Sequence, residues 1–322
     1  MNRQHSELRP ERDVLVPRFG RLRDWIIGGL LLATLLVAVQ WTVGWRSLLA
    51  PWRDLSPWLL AWLLLLTASS YALRAVRVSD YFSPRFAGRF LLMLRLTILH
   101  NTANNLLPMR TGELVFPWLM RRYFGQGLLE SAAALLWLRL FDLHCLVLIA
   151  LLIAHLSQPS LLWWLLALLW IAGLGLIPVI GGLSQMAILN GDGRLRSVIC
   201  RVLVSAPRHP RLILRIYIWT VLIWGLKFAA FTSLLSDFLH SDVWRLLAGV
   251  MGAELSTVLP FHGIAGAGSY ELAAVAALVP LGVDPRLALA GAVNLHLFLL
   301  GATLILGALA LRLPKPAQPA SP

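Results

Sequence analysis

Two segments decide the fold: HNTANNLLPMRTGE, residues 100–113, and PFHGIAGAGSYE, residues 260–271. Each interrupts a long apolar stretch, 90–120 in the first case and 243–281 in the second. Each places Pro, Gly, polar and charged groups where a membrane helix would carry only hydrocarbon. Irregular backbone is tolerated at membrane depth only where protein or a water-filled cavity surrounds it. Neither stretch therefore reads as a simple spanning helix. Both read as helical hairpins that enter and leave on one side.

Composition puts the rest of the chain in the same medium. Of 322 residues, 58% are hydrophobic and 13% are charged, and the mean hydropathy is +0.74. Soluble domains carry roughly 25% charged residues, so no water-facing surface can be built here. Intrinsic disorder is excluded too, because it needs low hydrophobicity. A bilayer core about 30 Å thick needs about 20 apolar residues of helix. Six segments qualify: 25–45, 55–73, 131–154, 161–183, 216–235 and 287–311. The first is too long for a signal-peptide core and follows acidic residues, so it reads as an uncleaved anchor. The expected fold is an all-α polytopic membrane protein with six spanning helices and two re-entrant hairpins. One membrane domain, 25–311, lies between a basic segment, 1–24, and a Pro-rich tail, 312–322.

The net charge is +13 and the sequence pI is near 11.2. A nucleic-acid partner would need that charge gathered on one face. Sorted by segment, 21 of the 28 basic residues fall on one side of the expected membrane: in 1–24, 74–95, 121–122, 190–215 and the C-terminus. The alternate connections hold only Arg46, Arg53, Arg245 and Arg286. The positive-inside rule makes the rich side, with both termini, cytoplasmic. The excess thus records topology and contact with anionic lipid, and no nucleic acid is implied. With this orientation, 25–154 and 161–311 each read span, span, hairpin, span, in opposite senses. That is an inverted-topology repeat, and paired Gly/Pro-interrupted segments in two halves point to a transporter's central site. No repeat of residue identities accompanies it.

The tips carry the chemistry. In the first, Pro108 ends the incoming helix and Gly112 permits the turn. Arg110 and Glu113 are three apart and can pair, because an unpaired charge at this depth costs at least about 2.5 kcal/mol. They read either as an ion pair that fixes the hairpin or as a head-group clamp with Arg110 on a lipid phosphate. In the second, His262, Gly266, Gly268, Ser269 and Glu271 precede or open a helix, where glycine N–H groups suit a phosphate. The alternative there is a hinge, with Glu271 in a first helical turn that favours a carboxylate. No strand precedes the glycines, so they are not a dinucleotide fingerprint. Arg139 and Asp142 share one helix face. They read either as a structural salt bridge or as a gate that breaks when substrate enters. Lys227, Glu254, His144 and His296 are further intramembrane ionisable groups, and such groups are functional candidates by default, here for coupling or gating. For the histidines an interhelical hydrogen bond is the simpler reading. Lys227 needs an acidic partner, with Asp142, Glu113 or Glu254 as candidates. Trp25, Trp45, Trp52, Trp58 and Trp244 lie near span ends and read as an aromatic belt. Cys145 and Cys200 form no disulfide or metal spacing, and neither metal nor cofactor is expected.

NNLLPMRTGE (104–113), RLFD (139–142) and LPFHGIAGAGSYE (259–271), in this order and spacing, resemble the transmembrane region of lysylphosphatidylglycerol synthases, also described as a flippase-like domain. The resemblance covers nearly the whole chain past residue 20. The family pattern carries over at Pro108, Arg110, Gly112, Glu113, Arg139, Asp142, Pro260, Gly266, Gly268 and Glu271. It departs at Phe116, where many members have Arg, at Ala265, where many have Gly, and at Tyr270, where many have a basic residue. Lysyl-transferring members carry a large soluble domain after the membrane region, whereas this chain continues into LPKPAQPASP (313–322). The resemblance therefore implies a lipid-translocating module of a bacterial inner membrane and not the transferase itself. Its expected partner is an anionic phospholipid or glycolipid. A non-catalytic subunit that presents lipid to a separate glycosyl- or aminoacyl-transferase is the alternative. An intramembrane enzyme using Glu113 or Glu271 as acid or base lacks any nucleophile–base spacing.

Overall fold

The computed structural model describes residues 22–82, 86, 88–179, 202–257 and 263–315, without the side chains of Asp24, Met109 and Arg110. Every regular element among the described residues is helical. Helix α1 spans Leu22–Thr42, α2 Pro57–Phe82, α3 Phe90–Leu106, α4 Val115–Phe124 and α5 Leu128–Ser157. Then come α6 Leu161–Ala172, α7 Pro210–Phe238, α8 Val243–Ser256, α9 Ser269–Leu278 and α10 Pro285–Arg312. Local chemistry sets the ends. Pro57, Pro210 and Pro285 open helices, where an N–H is not needed. The Asp284 carboxylate accepts from the N–H groups of Arg286 and Leu287. Gly125 closes α4 in the left-handed conformation, at φ 69°.

Seven segments of the described chain are long and apolar enough to cross a membrane. Six coincide with the expected spans; the seventh, Ile264–Leu281, contains α9 and belongs to the second interrupted stretch. Apolar side chains form the outside. None of Leu161–Val179 is buried, whereas 61% of the most apolar window of α10 is. Water would not tolerate so large an apolar surface on a monomer, and hydrocarbon accommodates it. Helix α10 is therefore central and α6 peripheral.

Both interrupted stretches fold back on themselves. At 1.5 Å per residue, α3 is about 25 Å long, α8 about 21 Å, and α4 and α9 about 15 Å, so none of these helices alone matches a 30 Å core, although Ile264–Leu281 taken together is long enough to cross. In the first, a 3-10 segment, Pro108–Leu114, returns the chain along α3. A Cβ on Gly112 would lie 2.4 Å from the backbone of Asn104, so only glycine fits there. In the second, α8 and α9 run antiparallel in close contact. A Cβ on Gly252 would lie 2.5 Å from the carbonyl oxygen of Ala273.

The hairpins meet at the centre, where Pro108–Leu114 touches Ile264–Gly266 and α1 lies against both. Packing also crosses between the halves. Helix α10 packs on α3, α5 packs on α8, and α2 packs along α7.

One sequence expectation is corrected. Helix α2 runs nine residues past the expected end of its span, to Phe82. Arg74, Arg77 and also Arg95, on α3, are buried and do not belong to a water-facing connection. Without them the cytoplasmic-side total of 21 becomes 18, which still outweighs the four on the other side.

Candidate functional site

The first cluster lies where the first hairpin meets α2, α5 and α7. Arg139 Nη2 donates to Glu113 Oε1 at 2.8 Å. Its Nη1 lies 3.6 Å from Asp142 Oδ2, so the i,i+3 pair exists. Asp142 has a closer partner on α2: Arg77 Nη1 donates to Oδ1 at 2.6 Å and Nη2 to Oδ2 at 3.3 Å. The Trp224 indole N–H of α7 donates to the same carboxylate at 3.0 Å, and Arg77 also donates to Thr220 Oγ1 at 2.8 Å. Arg77 and Asp142 are both 4% exposed. Two buried charges are tolerated when geometry is bidentate and the remaining lone pairs are filled. Three helices are thereby tied through the Asp142 carboxylate and the Arg77 guanidinium, and Arg139 adds the hairpin tip through Glu113.

Trp224 joins this cluster to a second pair. The Lys227 ammonium lies 5.3 Å from the Trp224 ring centroid and the Arg74 guanidinium 5.7 Å, within the range of cation–π attraction. Of the three candidate partners for Lys227 the structure selects Glu254, at 2.5 Å. His144 stands apart from the network. Its Nδ1 is 2.8 Å from the Tyr217 hydroxyl and its Nε2 2.9 Å from the Trp170 carbonyl, so it is a hydrogen-bonded link between α5, α7 and α6.

At the second tip, His296 Nδ1 lies 2.6 Å from Glu271 Oε1, and both side chains are buried. Tyr270 stacks on the imidazole at 4.5 Å. Glu271 Oε2 accepts from the Gly268 N–H at 2.8 Å, a helix-capping contact. The N–H groups of Gly266 and Ala267 donate to the carbonyls of Gly263 and Ile264, and Ser269 Oγ donates to Gly266 O. These backbone donors thus already have acceptors. Beside them, a cavity of about 370 Å³ opens between α1, α9 and α10. Leu31, Leu35, Leu272 and Val275 line it, with Glu271 and Arg286 in its wall. The Arg110 side chain, Pro260 and His262 lie outside the described residues.

The two halves match at several positions. Counted from Pro57, Arg74 is the eighteenth residue of α2; counted from Pro210, Lys227 is the eighteenth of α7. Tyr71 and Trp224 are each fifteenth, and Thr67 and Thr220 each eleventh. Both threonines donate to their own i−4 carbonyls, at 2.8 and 2.9 Å. Arg139 is the twelfth residue of α5 from Leu128, and His296 the twelfth of α10 from Pro285. Each takes the carboxylate of its own hairpin tip, Glu113 or Glu271.

Over residues 25–307 the chain matches the lysylphosphatidylglycerol synthase transmembrane region. It belongs to that family. No curated protein and no solved structure matches it. Membership makes this a membrane protein of a lipid-handling family, as the motifs imply. In this member of the lysylphosphatidylglycerol synthase transmembrane-region family, Glu113, Arg139 and Asp142 come together, as do Lys227 with Glu254 and Glu271 with His296. Sequence reasoning misses Arg74, Arg77, His100 and Trp224. The available signal is the arginine pair Arg74/Arg77, i,i+3 in a stretch with no glycine or proline before Pro84.

Proposed function

We propose that the protein translocates a phospholipid or a lipid-linked head group between leaflets of the bacterial inner membrane, with both termini cytoplasmic. The supporting observation is the duplicated tip latch. Each hairpin is tied by one carboxylate to the twelfth residue of the span that follows it. Inverted repeats with a central site commonly work by moving one element against the other around that site. Here the re-entrant hairpins are the moving elements, and residues 25–154 and 161–311 form the repeats. Breaking Glu113–Arg139 frees one tip, and breaking Glu271–His296 frees the other. The apolar cavity beside Glu271 offers a place for an acyl chain. The protein acts as a transporter without chemistry of its own.

The test is reconstitution in vesicles with labelled lipids. Lipid movement faster than in protein-free vesicles, lost on Glu113→Gln, supports the reading. Unchanged rates for every anionic phospholipid and glycolipid tried overturn it. Because the family takes its name from a synthase, a second reading is a subunit that presents lipid to a separate transferase. Stable co-purification with such an enzyme, and no lipid movement alone, would favour it.

A further inference from the structure

Arg74 is the odd member of the repeat. It is 8% exposed. Among the described residues it makes no ion pair, and its Nε has no hydrogen-bond partner. Its guanidinium lies against the face of Trp224, and the carboxylate that attracts it, Asp142, is already bonded to Arg77. Its counterpart Lys227 is held by Glu254, the twelfth residue of α8 counted from Val243. The twelfth residue of α3, counted from Phe90, is Asn101. An amide thus stands in the first half where a carboxylate stands in the second. Asn101 gives its own N–H to the Thr97 carbonyl at 2.8 Å and cannot neutralise a guanidinium.

The surroundings of Arg74 ask for an acceptor. A cavity of about 30 Å³ is lined by Arg74, Arg77, Arg139, Thr97, His100 and Asn101, among others. That volume is about the share of one water molecule, so it admits one oxygen-sized guest. In its wall the Nε of all three arginines, the Thr97 hydroxyl and His100 Nε2 have no hydrogen-bond partner among the described residues, and His100 Nε2 lies 4.0 Å from Glu113 Oε2. A guanidinium N–H only donates, and a buried donor left unmatched is costly. The three arginines face two carboxylates, Asp142 and Glu113, so the described side chains leave one positive charge over.

We propose that Arg74 and the donors around it bind an anionic phosphoryl oxygen, of a lipid head group or of free phosphate. Asn101, standing in place of a carboxylate, leaves Arg74 available to that anion. The site deepens the transport reading, and it takes from that reading only that the phosphate is lipid-borne. Arginine suits the task, because its charge is permanent and its fork matches phosphate oxygens.

Thermal unfolding of the full chain in detergent tests the site. The titrants are inorganic phosphate, a short-chain phosphatidylglycerol, and a short-chain diacylglycerol that lacks phosphate. Phosphatidylglycerol or phosphate should raise the Tm saturably, and diacylglycerol should not; whichever of the first two acts names the source. Asn101→Glu should raise the Tm without titrant and weaken binding about tenfold or more, because an internal carboxylate then occupies the guanidinium over 90% of the time. Asn101→Gln, of the same bulk as the glutamate and without its charge, should bind more tightly than Asn101→Glu does. Wild-type affinity in Asn101→Glu, an equal shift with diacylglycerol, or no shift with either phosphate compound overturns the proposal. If Asn101→Glu does not fold, Arg74→Gln decides: retained binding overturns it and lost binding supports it. Saturable phosphate binding in protein that moves no labelled lipid would keep this site and remove the transport reading. Transport at the wild-type rate in Asn101→Glu would do the reverse.

Discussion

The Arg77–Asp142 pair should behave as a unit. Asp142→Leu leaves Arg77 and Arg139 facing no carboxylate at that point, and Arg77→Met leaves Asp142 with only Trp224 and a 3.6 Å contact to Arg139. Removing one partner of a buried pair costs about 3–5 kcal/mol, so independent effects would sum to about 6–10 kcal/mol. The double variant removes both charges together. Thr220 keeps its donation to the Ile216 carbonyl, at 2.9 Å. The Trp224 N–H loses its acceptor, at about 1–3 kcal/mol, and Arg139 loses its 3.6 Å contact but keeps Glu113. The double variant should therefore be more stable than either single one, with a coupling of about 5 kcal/mol. Denaturant titration of the four detergent-solubilised proteins measures the cycle. Additivity within about 0.5 kcal/mol would show that the two side chains do not act through each other, and the argument from their geometry would fail.

Four further outcomes follow from single residues. Gly112→Ala puts a Cβ 2.4 Å from the Asn104 backbone and should cost about 3 kcal/mol or more, seen as lost monodisperse protein. Gly225→Ala, in a helix interior with no atom within 4 Å, should gain about 0.5–1 kcal/mol. Ala265 holds φ 54°, a left-handed conformation costing about 1–2 kcal/mol, so Ala265→Gly should stabilise by about 0.5–1 kcal/mol after the glycine's extra unfolded freedom is counted. A lower Tm in that variant would contradict the assigned conformation. Glu271→Gln keeps an acceptor for the Gly268 N–H, and Glu271→Ala does not, so the alanine variant should be about 1–3 kcal/mol less stable. Both should stop lipid movement in vesicles. Movement at the wild-type rate in the glutamine variant would reduce Glu271 to a helix cap.

The spans and the two interrupted stretches are legible in the sequence because hydrocarbon thickness sets one length and proline and glycine mark where it is broken. Arg74 and Arg77 are misread for a definable reason. An apolar window ends at the first charge, but a helix ends where its backbone must, and after Leu73 no glycine or proline intervenes before Pro84. When the two signals disagree, the charge lies inside the helix, among its neighbours, as Arg77 does against Asp142. The residue-level repeat is hidden for a different reason. Arg74 answers to Lys227, Arg139 to His296 and Tyr71 to Trp224. The chemistry is kept in kind while the letters differ, so comparison of identities finds nothing until the helix starts align the halves. At Asn101 and Glu254 even the kind is not kept. An inverted pair that is chemically equal would balance its own charges in both halves. This one is unequal at Arg77 and Asp142, which cancel each other and answer to Ala230 and Leu299, and at Asn101, which leaves a charge over and gives the charge of a ligand a place to act.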